Sequence, residues 1–432
     1  MARAQTSTIP GITFVKQLEG ISEYTLDSNG MRILLIPDTS VPVVGCMVTY
    51  HVGSRNEAVG YTGATHLLEH LMFKGSKKFN PKKGKSMDVL LESRGARINA
   101  TTWLDRTNYY ELIPKDVLPL ALEIEADRMR NATFNEEDRQ SEMPVVRNEY
   151  ERGENDSSQA LDKELWALAF LAHPYHHPTI GWKSDIEGIS IERLYQFYND
   201  FYWPNNATLT IVGSYDHIET LTHIQKVFGV HARSPHPIPS MHSEEPIQEG
   251  QRRAIIRRAG NPLMGISHKI PSATHEDMPA LIMLASILYE DKASRLYKTF
   301  IDTAFATDVT VFCGQFHDAS LFQTFITLTP AISHEKAEKM VVEEYEKIMQ
   351  KGVTLAELKA AKRSARVWLA RRSDGPYALL SSLNEDLAVG DWTRFVTLPK
   401  AIEAVTTKDI QRVAKKYFVN NQSVVGYVVP II

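Results

Sequence analysis

The sequence predicts an α+β fold of two homologous α/β-roll domains, each a mixed sheet packed with helices. Three observations carry this. Strand-like and helix-like runs follow one another outside strict βαβ alternation. A proline-punctuated stretch of weak periodicity, residues 231–253, reads as a linker between a first domain (1–230) and a second (254–432). The end of the first block also recurs at the end of the second: residues 189–202 and 205–212 resemble residues 405–418 and 421–425, at an offset of 216. Each pair is a capped amphipathic helix, two aromatic residues, an Asn turn and a strand, the mark of an internal duplication.

In chain order, strands are expected at 33–36 and 43–51, parted by Pro37-Asp-Thr-Ser and Pro42. A turn-rich stretch, 53–63, leads into a helix starting near Thr65. A second helix at 86–93 precedes strand-like runs at 96–103 and 108–113. Helical periodicity returns at 117–130, 136–153 and 159–172, the middle segment opening on acidic residues. The pattern restarts at Ala254 and includes an apolar helix at 279–290.

At 432 residues the chain has room for two or three cores. With 43% hydrophobic and 23% charged residues, wholesale disorder is excluded. A net charge of −4 gives no global pull towards nucleic acid or anionic membrane. No apolar run approaches the roughly 20 residues that span a bilayer. Cys46 and Cys313 sit in strand-like apolar runs and read as buried hydrophobes. The N-terminus lacks an apolar signal core, but Ala2-Arg3-Ala4 has the small-x-small form of a cleavage site, which leans towards a periplasmic chain with its signal peptide removed; a cytoplasmic one is the alternative.

The chemistry concentrates in His66-Leu-Leu-Glu69-His70. Residues four apart share a helix face, so both imidazoles can reach one metal ion while Glu69 projects beside it. The pattern is that of a catalytic zinc site, which takes a third protein ligand and keeps one position open. Glu142 and Glu149, two turns apart on the acidic helix, are both candidates, and spacing alone does not choose between them.

His66-x-x-Glu69-His70 followed by Glu142-Met-Pro-Val-Val-Arg-Asn-Glu149 resembles the inverted zinc motif of the pitrilysin, insulin-degrading enzyme and mitochondrial processing peptidase family. The likeness extends to Met72-Phe-Lys-Gly75, Arg97-Ile-Asn-Ala-Thr101, His173-Pro-Tyr175 and Gly181. It implies a zinc metalloendopeptidase acting on short or unfolded peptides, with one Zn2+ per chain on His66, His70 and Glu149, Glu69 as general base and Glu142 as auxiliary carboxylate. It also implies that Asn99 and Ala100 lie on the edge strand that takes up substrate, while Phe73 lines a side-chain pocket or packs in the core. A non-catalytic core subunit of the same fold is the rival function. Pro144 should kink or interrupt the helix between the two glutamates.

The second half has no such motif. Family members acting as single chains or self-pairs carry there an Arg and a Tyr seven residues apart, where this chain has Ile301 and Asp308. The resemblance is therefore to the zinc-bearing subunit of two-chain bacterial members, which implies a heterodimer with a homologous metal-free chain that supplies the Arg and Tyr; a homodimer is the alternative. Arg295 and Tyr297 could be proposed as substitutes, but read more simply as a helix start in the domain core. The cluster from His173 to His177, His275 and the pairs Lys77-Lys78 and Lys82-Lys83 read as a structured loop and surface charge. No phosphate-binding loop occurs.

Overall fold

The computed structural model describes residues 9–40 and 42–431, so the Ala2-Arg3-Ala4 triplet lies outside the described residues. The chain divides into two compact units, Met1–Arg147 with Pro178–His242 and Arg372–Ala388, and Asn148–His177 with Ser243–Arg371 and Val389–Ile432.

The first unit opens with β1 (Ile12–Leu18), β2 (Ile21–Leu26), β3 (Met31–Pro37) and β4 (Val43–Tyr50), then α1 (Ala64–Leu71) and α2 (Met87–Glu92). An edge hairpin, β5 (Arg97–Thr102) and β6 (Thr107–Pro114), and helix α3 (Leu118–Asn131) follow. Helix α4 (Glu136–Asn155) carries the chain into the second unit, where α5 (Ser157–Ala169) lies; α6 (Lys183–Gly188), α7 (Ile191–Phe201), β7 (Ala207–Gly213) and α8 (His217–Phe228) return to the first. The second unit continues with β8 (Arg252–Arg258), β9 (Leu263–Ile270), α9 (Met278–Leu288), β10 (Ala306–Cys313), β11 (Ser320–Leu328), α10 (His334–Lys351) and α11 (Leu355–Arg371). Helix α12 (Gly375–Ala388) belongs to the first unit, and α13 (Arg394–Ala404), α14 (Thr407–Tyr417) and β12 (Ser423–Pro430) to the second.

The sheet orders are β1-β2-β3-β7-β4-β6-β5 and β10-β11-β9-β12-β8. Read from its other edge, the second order is β8-β12-β9-β11-β10, which repeats β3-β7-β4-β6-β5 strand for strand. In both, one pair is parallel, β3 with β7 and β8 with β12. The repeated ends agree in detail. Ser190 and Thr406 cap α7 and α14 by accepting from the third amide of each helix, and short 3₁₀ turns, Pro204–Asn206 and Asn420–Gln422, lead into β7 and β12. The hairpin β1–β2 is an addition to the first sheet, and its weak alternation gave no sequence signal.

The units do not follow the blocks 1–230 and 254–432; the chain crosses between them once within residues 231–253, but also around α5 and α12. Packing explains the exchange. In the second sheet α5 lies over β8, β9 and β12, and a Cβ on Gly265 or Gly426 would sit 2.7 Å from Leu165 or 2.6 Å from Leu161 of that helix. In the first sheet α12 lies over β4 and β7, and a Cβ on Gly45 would come within 2.4 Å of Leu380. Glycine floors admit each helix closer than any other residue would, a fit that periodicity does not encode. Of the kink or interruption expected at Pro144, the interruption is corrected: α4 runs unbroken over 20 residues. The proline removes one hydrogen bond to the Gln140 carbonyl and is exposed.

Cys46 is buried in β4 and Cys313 half-buried in β10, both as free thiols. No helix among the described residues is long and apolar enough to cross a membrane. In the second core His268 of β9 lies against the rings of Phe418 and Tyr345, at 5.1 and 5.8 Å, with no hydrogen-bond partner for either ring nitrogen. Burial drives its pKa down from 6.5 to about 3. The unfolded chain therefore binds this proton first, so the stabilisation is present above about pH 6.5 and is lost as pH falls towards 3. Wild type is expected to lose about 2–3 kcal/mol more stability than His268→Phe between about pH 7 and 4.5, as read by urea unfolding; superimposable pH profiles would refute it.

Candidate metal centre

Helix α1 presents the motif because its other side is buried. Ala64, Thr65, Leu67, Leu68 and Leu71 face the core, which leaves His66, Glu69 and His70 half-exposed together. The helix starts at Gly63, whose φ is +85° and whose Cβ, if present, would meet the Ile180 carbonyl at 2.4 Å. Lacking a capping side chain there, the first turn is held by Glu57, 4% exposed, which accepts from the amides of Gly63 and Thr65 at 2.7 Å each. Asp185 holds the preceding loop, accepting from the Gly60 amide and from the amide and hydroxyl of Thr62. The start of α1 is thus fixed by two acidic side chains.

Helix α4 supplies both glutamates. Asn135 and Asp138 exchange side chain to amide hydrogen bonds at its start, and acidic residues fill its first turn, where the helix dipole favours them. Glu142 Oε2 lies 3.0 Å from His70 Nδ1, and its other oxygen pairs with Lys74. Burial acts to raise the Glu142 pKa, but the bonds from Lys74 and His70 outweigh it and hold the carboxyl below its ordinary value. Glu149 lies two turns on, two residues past the unit division and on the same continuous helix.

His66, His70 and Glu149 are the one group of three potential ligands brought together among the described residues, each offering a donor atom within 4.8 Å of the others. Two imidazoles and a carboxylate form a catalytic zinc donor set. Burial, then the nearby His70, lowers the His66 pKa to about 4, so its ring is neutral at pH 7, the form that donates to a metal. The His70 Nδ1 contact to Glu142 leaves Nε2 for the ion. The residues present therefore fit zinc.

Glu69 accepts a hydrogen bond from the Thr102 hydroxyl at the end of β5. That strand is the open edge of its sheet. The Trp103 amide donates to the Arg106 carbonyl, so by antiparallel alternation the Ala100 backbone faces away from β6, and its amide is met by the Asn99 side chain at 2.9 Å. Phe73 is half-buried, its ring 5.3 Å from the Arg128 guanidinium and 5.9 Å from the Tyr109 ring, and it lines a small pocket with Ile98 and Asn99.

Sequence reasoning did not find Thr102, Lys74, Glu57 or Asp185. Lys74 had a signal, lying one turn beyond His70; the others act through contacts that no spacing encodes. His173 is buried, 3.0 Å from Asp318 and accepting from the Tyr175 amide, as a structured loop requires. Arg295 is engaged with Glu357 at 2.7 Å and the Gly352 carbonyl, both near the start of α11. Ile301 ends a short π-helical turn and Asp308 is exposed on β10.

Comparison with known proteins gives a consistent picture. The family model "Insulinase (Peptidase family M16)" matches residues 32–182, which contain the whole constellation, and "Peptidase M16 inactive domain" matches residues 188–365. The zinc protease PqqE of Helicobacter pylori is 28% identical across 93% of this chain and 91% of its own length. A protease of known structure from Helicobacter pylori superposes with a TM-score of 0.90 at 26% identity, covering 96% of this chain and 100% of that one. The periplasmic protease PqqL of Escherichia coli gives a TM-score of 0.78 at 20% identity over 96% of this chain but 48% of its own.

Proposed function

The chain belongs to the insulinase (M16) peptidase family, and from that premise we propose that it is a zinc endopeptidase of short or unfolded peptides, carried by the convergence of His66, His70 and Glu149 beside Glu69. The ion would be held by those two imidazoles and that carboxylate; when bound, it supplies Lewis acidity and lowers the pKa of a water to about 7. The chain's own residues do the rest. Glu69 takes the proton of the attacking water and returns it to the leaving amine. The Thr102 hydroxyl holds one Glu69 oxygen, which orients the other towards the reacting atoms. Glu142 fixes the His70 ring and is itself held by Lys74. An extended peptide laid on β5 would pair with the Ala100 backbone in place of the Asn99 side chain, giving affinity with loose sequence demands.

The proposed working form is a heterodimer with a homologous, metal-free chain that brings an Arg and a Tyr to the site. Supporting this, Ile301 and Asp308 stand where the resemblance calls for that pair, and Arg295 is occupied with Glu357. The test is metal content together with cleavage of an unstructured peptide, with and without a candidate partner. A chain holding about one zinc and gaining turnover with the partner supports the reading. Full activity alone would remove the partner, and a metal-free chain would remove the peptidase in favour of a scaffold role.

A further inference from the structure

We propose that Trp103 is a specificity-determining residue, a platform on which an aromatic side chain of the extended peptide substrate stacks where the peptide leaves β5; the proposal rests on the peptidase reading above. The turn from β5 to β6, residues 103–106, has its burial inverted. Asp105 and Arg106 are 7% and 9% exposed and Leu104 is buried, whereas Trp103 is 48% exposed, more than any other of the six tryptophans. Buried polar groups and a large exposed apolar ring are the informative exceptions to ordinary burial. The ring makes no stacking, cation–π or hydrogen-bond contact among the described residues. The turn that carries it is tied down on every side. The Trp103 amide donates to the Arg106 carbonyl, and the amides of Ser54 and Arg55 donate to the Trp103 and Leu104 carbonyls. Arg106 donates to Thr101, Asn108 and Glu385, Arg55 pairs with Asp105 at 3.8 Å, and a Cβ on Gly53 would sit 2.3 Å from the Trp103 carbonyl.

Its place in the fold says what the ring meets. Thr102, which donates to Glu69, is its chain neighbour, so the two Cα atoms are about 3.8 Å apart, and a peptide paired with β5 runs about 4.8 Å from that strand. Beyond Thr102 the next two carbonyls, of Trp103 and Leu104, are already taken by the Ser54 and Arg55 amides. Backbone pairing stops there, and the indole is what remains to hold the peptide. The charges of the turn are matched, Arg106 with Glu385 and Arg55 with Asp105, so the turn offers an apolar face rather than a net charge, and an aromatic ring gains both burial and stacking on it. The pocket that Phe73 lines takes in Ile98 and Asn99, near the opposite end of β5. At about 3.3 Å per residue, Ile98 and Trp103 are roughly 16 Å apart, so one substrate side chain cannot fill both places.

The test moves a single Phe through each position of a fluorescent peptide otherwise made of Ala and Ser. Binding to Glu69→Gln is followed by anisotropy, and digestion by wild type with its candidate partner maps the cleaved bond. Phe is expected to tighten binding about tenfold at one position within two residues of that bond. Adding Trp103→Ala should erase the gain, and Trp103→Phe should keep most of it. Equal affinities across the scan, or a gain that survives Trp103→Ala, would overturn the proposal. A Trp103→Ala chain that binds the metal-free partner more weakly while its peptide preference stays intact would overturn it too, in favour of a contact between subunits. A gain that depends on Trp103 while wild type cleaves no peptide would strike at the peptidase reading alone and leave the ring as a peptide-binding platform.

Discussion

Glu69→Gln is expected to lower kcat for an unstructured peptide by about 10²–10⁴-fold, with zinc content and KM nearly unchanged. The amide keeps the shape of the carboxylate and can still accept from the Thr102 hydroxyl, so packing around α1 is preserved. It cannot take a proton from water. Glu69 is not among the three side chains whose donor atoms converge, so the metal should remain bound. Metal analysis beside steady-state kinetics separates the outcomes: undiminished turnover would exclude Glu69 as the base, and loss of zinc would make it a ligand.

The two glutamates of α4 should separate cleanly. Glu149→Gln replaces a charged donor within the cluster by a neutral amide, so the bound metal should fall from about one per chain towards none, and activity with it. Glu142→Gln removes the carboxylate that holds His70 Nδ1 and pairs with Lys74. Such supporting groups are worth about 10–100-fold in affinity or rate, so this variant should keep its zinc at saturating metal and lose part of its turnover. Chelator competition reads both. Equal zinc loss in the two variants would mean that both carboxylates ligate, and loss in Glu142→Gln alone would exchange their roles.

How much of this was legible from sequence depended on whether the information was local. Helices α1, α3 and α4 showed in apolar spacing and in acidic starts, since amphipathic burial and helix dipoles act within a few residues. The repeat linking α7–β7 with α14–β12 was visible because the duplicated halves kept capping residues and aromatics in register. The motif on α1 was legible for the same reason. Spacing left Glu142 and Glu149 undecided, because what distinguishes them is which one meets His70 Nδ1 and which one a metal could reach, and that depends on how α4 lies beside α1. The roles of Glu57 and Thr102 are likewise tertiary: Glu57 replaces a cap that Gly63 cannot provide, and Thr102 meets Glu69 across 33 residues of chain. The exchange of α5 and α12 was hidden because an amphipathic helix does not announce which sheet it will cover.

That exchange bears on how the protein can be made and divided. A fragment cut at residues 231–253 would carry the whole histidine motif and both glutamates but would lack α12, so the channel over β4 and β7 floored by Gly45 would stand open to water. The complementary fragment would lack α5 over Gly265 and Gly426. Each sheet is closed by a helix made far away in sequence, which costs loop-closure entropy before any burial is gained and slows folding. During synthesis the groove over β4 and β7 must wait, uncovered, until residue 388 has left the ribosome, an interval in which a chaperone or a neighbouring chain could occupy the place that α12 will fill.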